Sequence, residues 1–211
     1  MFVARVDGVE AFDAYAQTNG NLDFVELVNL DLSGRDLSSC SFRKSKLENV
    51  SFEGCKLSRS NFSSSELDAC SFVGADLRAS NFSKSVGKRV SFRVANLLGA
   101  DLSQSSWTDC DMLAAKFNQA VLASATLTQC DLNAADLSGA GASGISFKKV
   151  CARESLWIGA DLTGVNFDDS KLTQADFSDA SFVRANLCRV QADQSRFVRT
   201  DLAGAIFFGC S

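Results

Sequence analysis

Residues 72–82 read Phe72-Val73-Gly74-Ala75-Asp76-Leu77-Arg78-Ala79-Ser80-Asn81-Phe82, with a large apolar side chain at every fifth position and a small residue two places before it. Extending that step outward in both directions, from Leu22 to Phe207, gives 38 positions, and 34 of them hold Leu, Phe, Trp or Met. The exceptions are Gly87, Ala142, Ala152 and Ala192, while 13 of the 17 phenylalanines and both tryptophans, Trp107 and Trp157, fall in the slot. The slot two residues earlier is Ala, Ser, Cys or Val over much of the chain, as at Ala95, Ala100, Ala115, Ala175 and Ala185. Asp or Asn often stands between the two slots, as at Asp76, Asn96, Asp136 and Asp161.

A strict period of five matches neither the 3.6 of a helix nor the 2.0 of a strand. It suits a closed coil in which each five-residue unit forms one side. The large and small slots then point inward, the other three residues face solvent, and successive coils stack through backbone hydrogen bonds as a β-solenoid. The large side chains of successive coils then stack as core ladders, each buried side chain contributing about 1.5–3 kcal/mol. Gly87, Ala142 and Ala152 become gaps, to be filled by a bulge or by a neighbouring side chain.

The A(D/N)L-x-x unit resembles that of the pentapeptide repeat family, over residues 22 to about 210. The resemblance implies an all-β, right-handed quadrilateral β-helix with four units per coil. Here that makes nine to ten coils and a rod of roughly 45 Å at the usual strand spacing. With four units per coil, one core ladder is Leu22, Phe42, Phe62, Phe82, Leu102 and Leu122. Residues 1–21 read as an N-terminal cap with a short helix over about 8–18. In it Val9, Phe12, Tyr15 and Ala16 recur at helical spacing, with Asp7 as a candidate N-cap and Gly20 as a stop. Residues 22–211 form a single solenoid with no linker. Phe207 and Phe208 close the chain without a covering helix, which makes that end a candidate self-association surface for a homodimer.

Composition removes much of enzymology. The chain has no histidine, so there is no Ser-His-Asp triad, no Cys-His pair and no His-bearing zinc site. A net charge of −4 argues against a broad basic surface for nucleic acid, so no direct nucleic-acid binding is expected. The N-terminus has no signal-peptide core, and no stretch reaches the 18 apolar residues of a membrane span, so a cytoplasmic, membrane-free protein is the expectation. Of eight cysteines, Cys40, Cys55, Cys70, Cys110, Cys130 and Cys210 take the small inward slot as core filler, and only Cys151 and Cys188 fall outside it. Residues 139–144 match G-x-G-x-x-G in mid-solenoid, without the βαβ context a dinucleotide site needs. Asn49, Asn61 and Asn81 head N-x-S sequences that matter only in a secreted protein. No cofactor, metal or catalytic residue is expected, and a filled rod leaves no substrate pocket.

Three surface features are candidates for recognition. One face carries Asp31, Glu53, Asp111, Asp131, Glu154 and Asp193, offset by Arg93, Arg153 and Lys171 to a net −3; the other three come to 0, −1 and +1. Leu98, Leu156, Ile158 and Val198 are apolar at outward positions and form a candidate docking strip, with Leu113 a further outward apolar residue. Lys84, Lys88, Arg89 and Arg93 gather around the Gly87 gap, and Lys148, Lys149 and Arg153 between the Ala142 and Ala152 gaps. The segment Ser155-Leu156-Trp157-Ile158-Gly159-Ala160 is similar to the R-W-I-G-A/T segment of the Qnr group. The Qnr-like and MfpA-like resemblance implies a DNA-mimicking protein that meets DNA gyrase or topoisomerase IV and gives protection from quinolone-type poisons. This chain differs in lacking looped insertions and a C-terminal dimer helix, and in carrying the basic clusters. The alternative is a scaffold or protein-interaction module with an unrelated protein partner.

Overall fold

The structure, a computed structural model, describes residues 4–19 and 21–211, the side chains of 17–19 excepted. The large apolar slot is buried without a break from Leu22 to Leu187, and the chain winds so that residue n meets residue n + 20 in parallel. Seven short strands, β2 (Val25–Val28), β3 (Lys46–Glu48), β4 (Glu66–Asp68), β5 (Val86–Lys88), β6 (Ser106–Thr108), β7 (Thr126–Thr128) and β8 (Ser146–Lys148), stack in chain order. The same ladder continues as bridges through Asn166, Asn186 and Ile206, which makes ten rungs on this side. The fold is a four-sided parallel β-solenoid. Its sides are here called the first to fourth faces, after the columns that begin at Leu22, Leu27, Leu32 and Leu37.

The backbone explains the period. In each unit of the first, third and fourth faces the chain turns just after the buried large residue, as where the Arg35 amide bonds the Leu32 carbonyl. The second residue after the large one has φ between +51° and +71° in all 38 units. That left-handed conformation is what glycine tolerates and other residues adopt at a cost. Ten of the chain's 14 glycines stand there, Gly139 and Gly144 among them, so the G-x-G-x-x-G match is mostly turn chemistry. The frequent Asp or Asn before the large residue has a local reason too. Its side-chain oxygen accepts the amide two residues on, as in Asp31 to Ser33 at 3.0 Å, Asn61 to Ser63 at 2.9 Å and Asp161 to Thr163 at 3.0 Å.

Aromatic rings stack along faces and meet edge-on across corners. Phe42, Phe62 and Phe82 stack at 4.8 Å and within 6° on the first face, Phe52 and Phe72 at 4.9 Å on the third, and Phe62 meets Phe72 at 89°. The gap at Gly87 is filled by its neighbour. A Cβ there would lie 2.1 Å from Trp107 Cε3, and the indole sits edge-on to Phe82 and Phe92 and donates to Ser105 Oγ at 2.7 Å. Trp157 repeats the pattern across from Phe147, with fully buried Ala142 and Ala152 on the two flanking faces of its coil.

The N-terminal region adds a strand, β1 (Ala4–Asp7), beside β2, and then the helix α1 (Val9–Asn19). The residue before the helix is Gly8, whose carbonyl accepts the Phe12 amide. Asp7 is not the cap, because it is held in β1 opposite Val28 and takes up the Arg5 guanidinium. Gly20 lies outside the described residues. Phe12 is buried, and Tyr15 and Ala16 pack against the solenoid core.

Candidate interaction surfaces

All charged side chains reach the outside; the buried polar residues are serines alone among the described residues. Nor do three or more Cys, Asp or Glu converge as a metal site among them. The hollows on the rod are shallow grooves between surface columns, such as one of about 500 Å³ over Asp131, Lys149, Cys151, Asp169 and Lys171.

The six acidic candidates share the third face, where Asp111 and Asp131 are direct ladder neighbours. Much of their capacity is spent within the rod. Asp31, Asp111 and Asp131 each hold the amide two residues on, Glu53 accepts the Ser71 hydroxyl at 2.8 Å, and Arg93 reaches Asp111 at 2.9 Å. The Ser33 hydroxyl and amide hold the Asp31 carboxyl below the ordinary carboxylate range. Glu154 and Asp193 are exposed.

Leu98, Leu156, Ile158 and Val198 all stand on the fourth face, each about 40% exposed. They do not touch as one strip. Asn118 and Ser138 separate Leu98 from Ile158 along their column, and Ser178 separates Ile158 from Val198. Lys84, Lys88, Arg89 and Arg93 wrap around three faces, whereas Lys148, Lys149 and Arg153 sit at the corner of the second and third. Arg89 is paired with Asp68 and Arg93 with Asp111, while Lys84, Lys88, Lys148, Lys149 and Arg153 make no ion pair among the described residues. Asp109, Asp111 and Asp131 lie between the two clusters, giving one corner an alternation of basic, acidic and basic rungs. On the last coil Phe207 is 51% and Phe208 72% exposed.

Of the cysteines, Cys55, Cys70, Cys110 and Cys130 are buried, Cys40, Cys151 and Cys188 half-buried and Cys210 exposed. All are free thiols. Burial pushes the Cys70 thiol up to about 12. Sequence reasoning missed Arg35, the one charged residue in the small inward slot. There its guanidinium pairs bidentately with Asp13 of α1 and lies 5.7 Å from the centre of the Phe12 ring. The charge in an otherwise small, uncharged column was the available signal.

A family model described as the pentapeptide repeat region matches residues 25–102 and 100–177. The chain belongs to the pentapeptide repeat family. Among solved structures, it is similar to a trypsin-treated variant of QnrB1, a plasmid-mediated fluoroquinolone resistance protein. The two are 25% identical over 88% of this chain and 91% of that one, with a TM-score of 0.53. It is also similar to HetL, a pentapeptide repeat protein involved in heterocyst differentiation regulation from the cyanobacterium Nostoc sp. strain PCC 7120. That pair is 22% identical over 94% of both chains, with a TM-score of 0.48. Among curated proteins no relative matches the chain.

Proposed function

We propose that this pentapeptide repeat protein is a non-enzymatic binding rod that presents a long face to a partner protein. One observation carries the reading: the interior is filled by side chains from coil to coil, and apart from Arg35 every charged group of the solenoid stands in regular columns outside. Eight free thiols suit a reducing, cytoplasmic setting. The test is capture of host proteins on the immobilised full chain. A partner retained in stoichiometric amount, and lost on Leu98→Ser with Ile158→Ser or on changes to another face, supports the rod; retention of nucleic acid alone overturns it.

A second reading is favoured by the likeness to QnrB1. Here the partner is DNA gyrase or topoisomerase IV and the third face stands in for DNA. Supercoiling and fluoroquinolone-induced cleavage, titrated with the protein, then show protection that disappears when Asp111, Asp131 and Glu154 are neutralised together. Unchanged cleavage at every concentration removes this reading and leaves the first. Self-association through the last coil goes with either, and light scattering checks it: a dimer mass is expected, reduced to a monomer by Phe207→Ser with Phe208→Ser.

A further inference from the structure

The net charge of the molecule is confined to its waist. Residues 1–93 hold 12 cationic and 12 anionic side chains and residues 148–211 eight of each, whereas 94–147 hold five aspartates, Asp101, Asp109, Asp111, Asp131 and Asp136, against Lys116 alone. Half of the 20 cations outside the waist pair with carboxylates outside it, from Arg5 with Asp7 to Arg199 with Asp179. Within the waist only Asp111 has an ion pair among the described residues, and its partner Arg93 stands at the border.

Two parallel columns run along the third face here. Asp111 and Asp131 form the first. Three residues on in each unit, Val94, Ala114 and Ala134 form the second, with Leu113 beside it; the Val94 amide bonds the Leu113 carbonyl at 2.9 Å. Val94 is 51% exposed, and Leu98, at 40%, lies around the corner on the same coil. An acidic rail and an apolar rail thus lie side by side. Their rungs repeat at about 4.8 Å, close to the 5.4 Å pitch of an α-helix, so the two stay in step for about three rungs, the height of the waist.

We propose that this surface docks a cationic amphipathic helix of a partner protein. The apolar stripe of the helix covers Val94, Leu113, Ala114 and Ala134, and Lys or Arg along its edge meets Asp111 and Asp131, Asp131 having no cation of its own. The proposal rests on the reading of the protein as a partner-binding rod and names the surface and the partner's chemistry. Charge complementarity selects this occupant. Of the five waist aspartates, the two on this face are Asp131, with no ion pair among the described residues, and Asp111, paired with Arg93 alone, and both would repel an acidic helix.

The test uses fluorescence anisotropy with the full chain and a labelled Leu/Lys amphipathic helical peptide of about five turns. A scrambled peptide of the same composition and a Leu/Glu counterpart serve as probes of pattern and sign. Saturable binding is expected for the Leu/Lys helix only, weakening about tenfold or more when salt shortens the screening length from about 10 Å to about 3 Å. Asp111→Asn with Asp131→Asn, and separately Leu113→Ser, should each weaken it about tenfold, one ordinary hot-spot's worth. Val94→Asn is the second apolar variant, since Asn tolerates the left-handed backbone there and keeps the fold. Equal binding of the scrambled peptide, binding unchanged in these variants, or no binding at all overturns the proposal. The binding-rod reading fails separately, only if the immobilised chain retains no protein.

Discussion

At residue 87 the repeat requires a large side chain and the chain supplies none, because the indole of Trp107 on the next rung already occupies that volume. The two positions therefore form one packing unit. Gly87→Ala places a methyl group inside the ring and should cost about 1–3 kcal/mol or more in urea unfolding. In a Trp107→Leu background the same change should cost less, with a coupling of at least about 1 kcal/mol. Additive costs would show that the indole does not fill the gap. The conformation of residue 94 sets a second test. Val94 is the only β-branched residue among the 38 left-handed positions, at φ +51°. Because that conformation costs an L-residue about 1–2 kcal/mol and Asn less, Val94→Asn should raise stability by about 1 kcal/mol. A lower unfolding midpoint would contradict this. Thiol reactivity follows burial: a thiol-specific disulfide reagent should label Cys210 fast and Cys40, Cys151 and Cys188 slowly. It should leave Cys55, Cys70, Cys110 and Cys130 untouched until unfolding, and rapid reaction at any of those four would mean the core opens.

The helix α1 is held to the solenoid through its apolar side, Phe12, Tyr15 and Ala16, and through Arg35. The Arg35 guanidinium holds the Asp13 carboxyl below the ordinary carboxylate range. Since the folded value is lowered, the pair supports the docked helix above the unfolded carboxylate value of about 3.9 and is lost as pH falls through the folded one. Amide exchange across Val9–Asn19 should accelerate in acid, and in Arg35→Ala it should be fast already at neutral pH and gain little more from acid. Equal protection in both proteins would assign the docking to the apolar side of the helix, Phe12, Tyr15 and Ala16, without Arg35. The strands need no such clasp, because every coil is bonded to the next along four sides.

In the molecule as a whole each coil touches only its neighbours, so length is modular and register is not. Deleting residues 122–141 removes one full turn and joins Val121 to Ala142 with every face aligned. That variant should keep its β-type circular dichroism and a cooperative melt at reduced stability. Deleting Leu122 alone shifts the large slot outward in all that follows and should abolish the melt of the C-terminal coils. If both deletions fail alike, neighbour-only stacking is wrong. The same modularity allows charge to be distributed freely along the rod, since beyond Arg35 no inward position carries it, and the waist of residues 94–147 is where the balance departs from zero.

The period of five, read from Leu22 to Phe207, was enough by itself to determine a filled closed coil, because nearly every unit repeats the same demand for one large and one small buried side chain. That four units close each coil was implied by the family resemblance, and the N-terminal helix was read from the separate spacing of Val9, Phe12, Tyr15 and Ala16. With four units per coil the period located Phe42, Phe62 and Phe82 in one stack, and by itself it located the core cysteines in their slot. It also showed Gly87 as a gap without showing what fills it. Only the tertiary structure decided that Trp107 fills it, since the two residues are 20 apart in the chain and meet through stacking. It alone replaced Asp7 by Gly8 at the helix start, added β1, and assigned Arg35 to Asp13. It separated the fourth-face apolar residues with Asn118, Ser138 and Ser178, and set the acidic rail of Asp111 and Asp131 beside the apolar rail of Val94, Ala114 and Ala134. The physical reason is the same throughout. The repeat specifies what each unit must bury, while the outward residues are unconstrained by the core and become neighbours only when the coil closes at twenty residues.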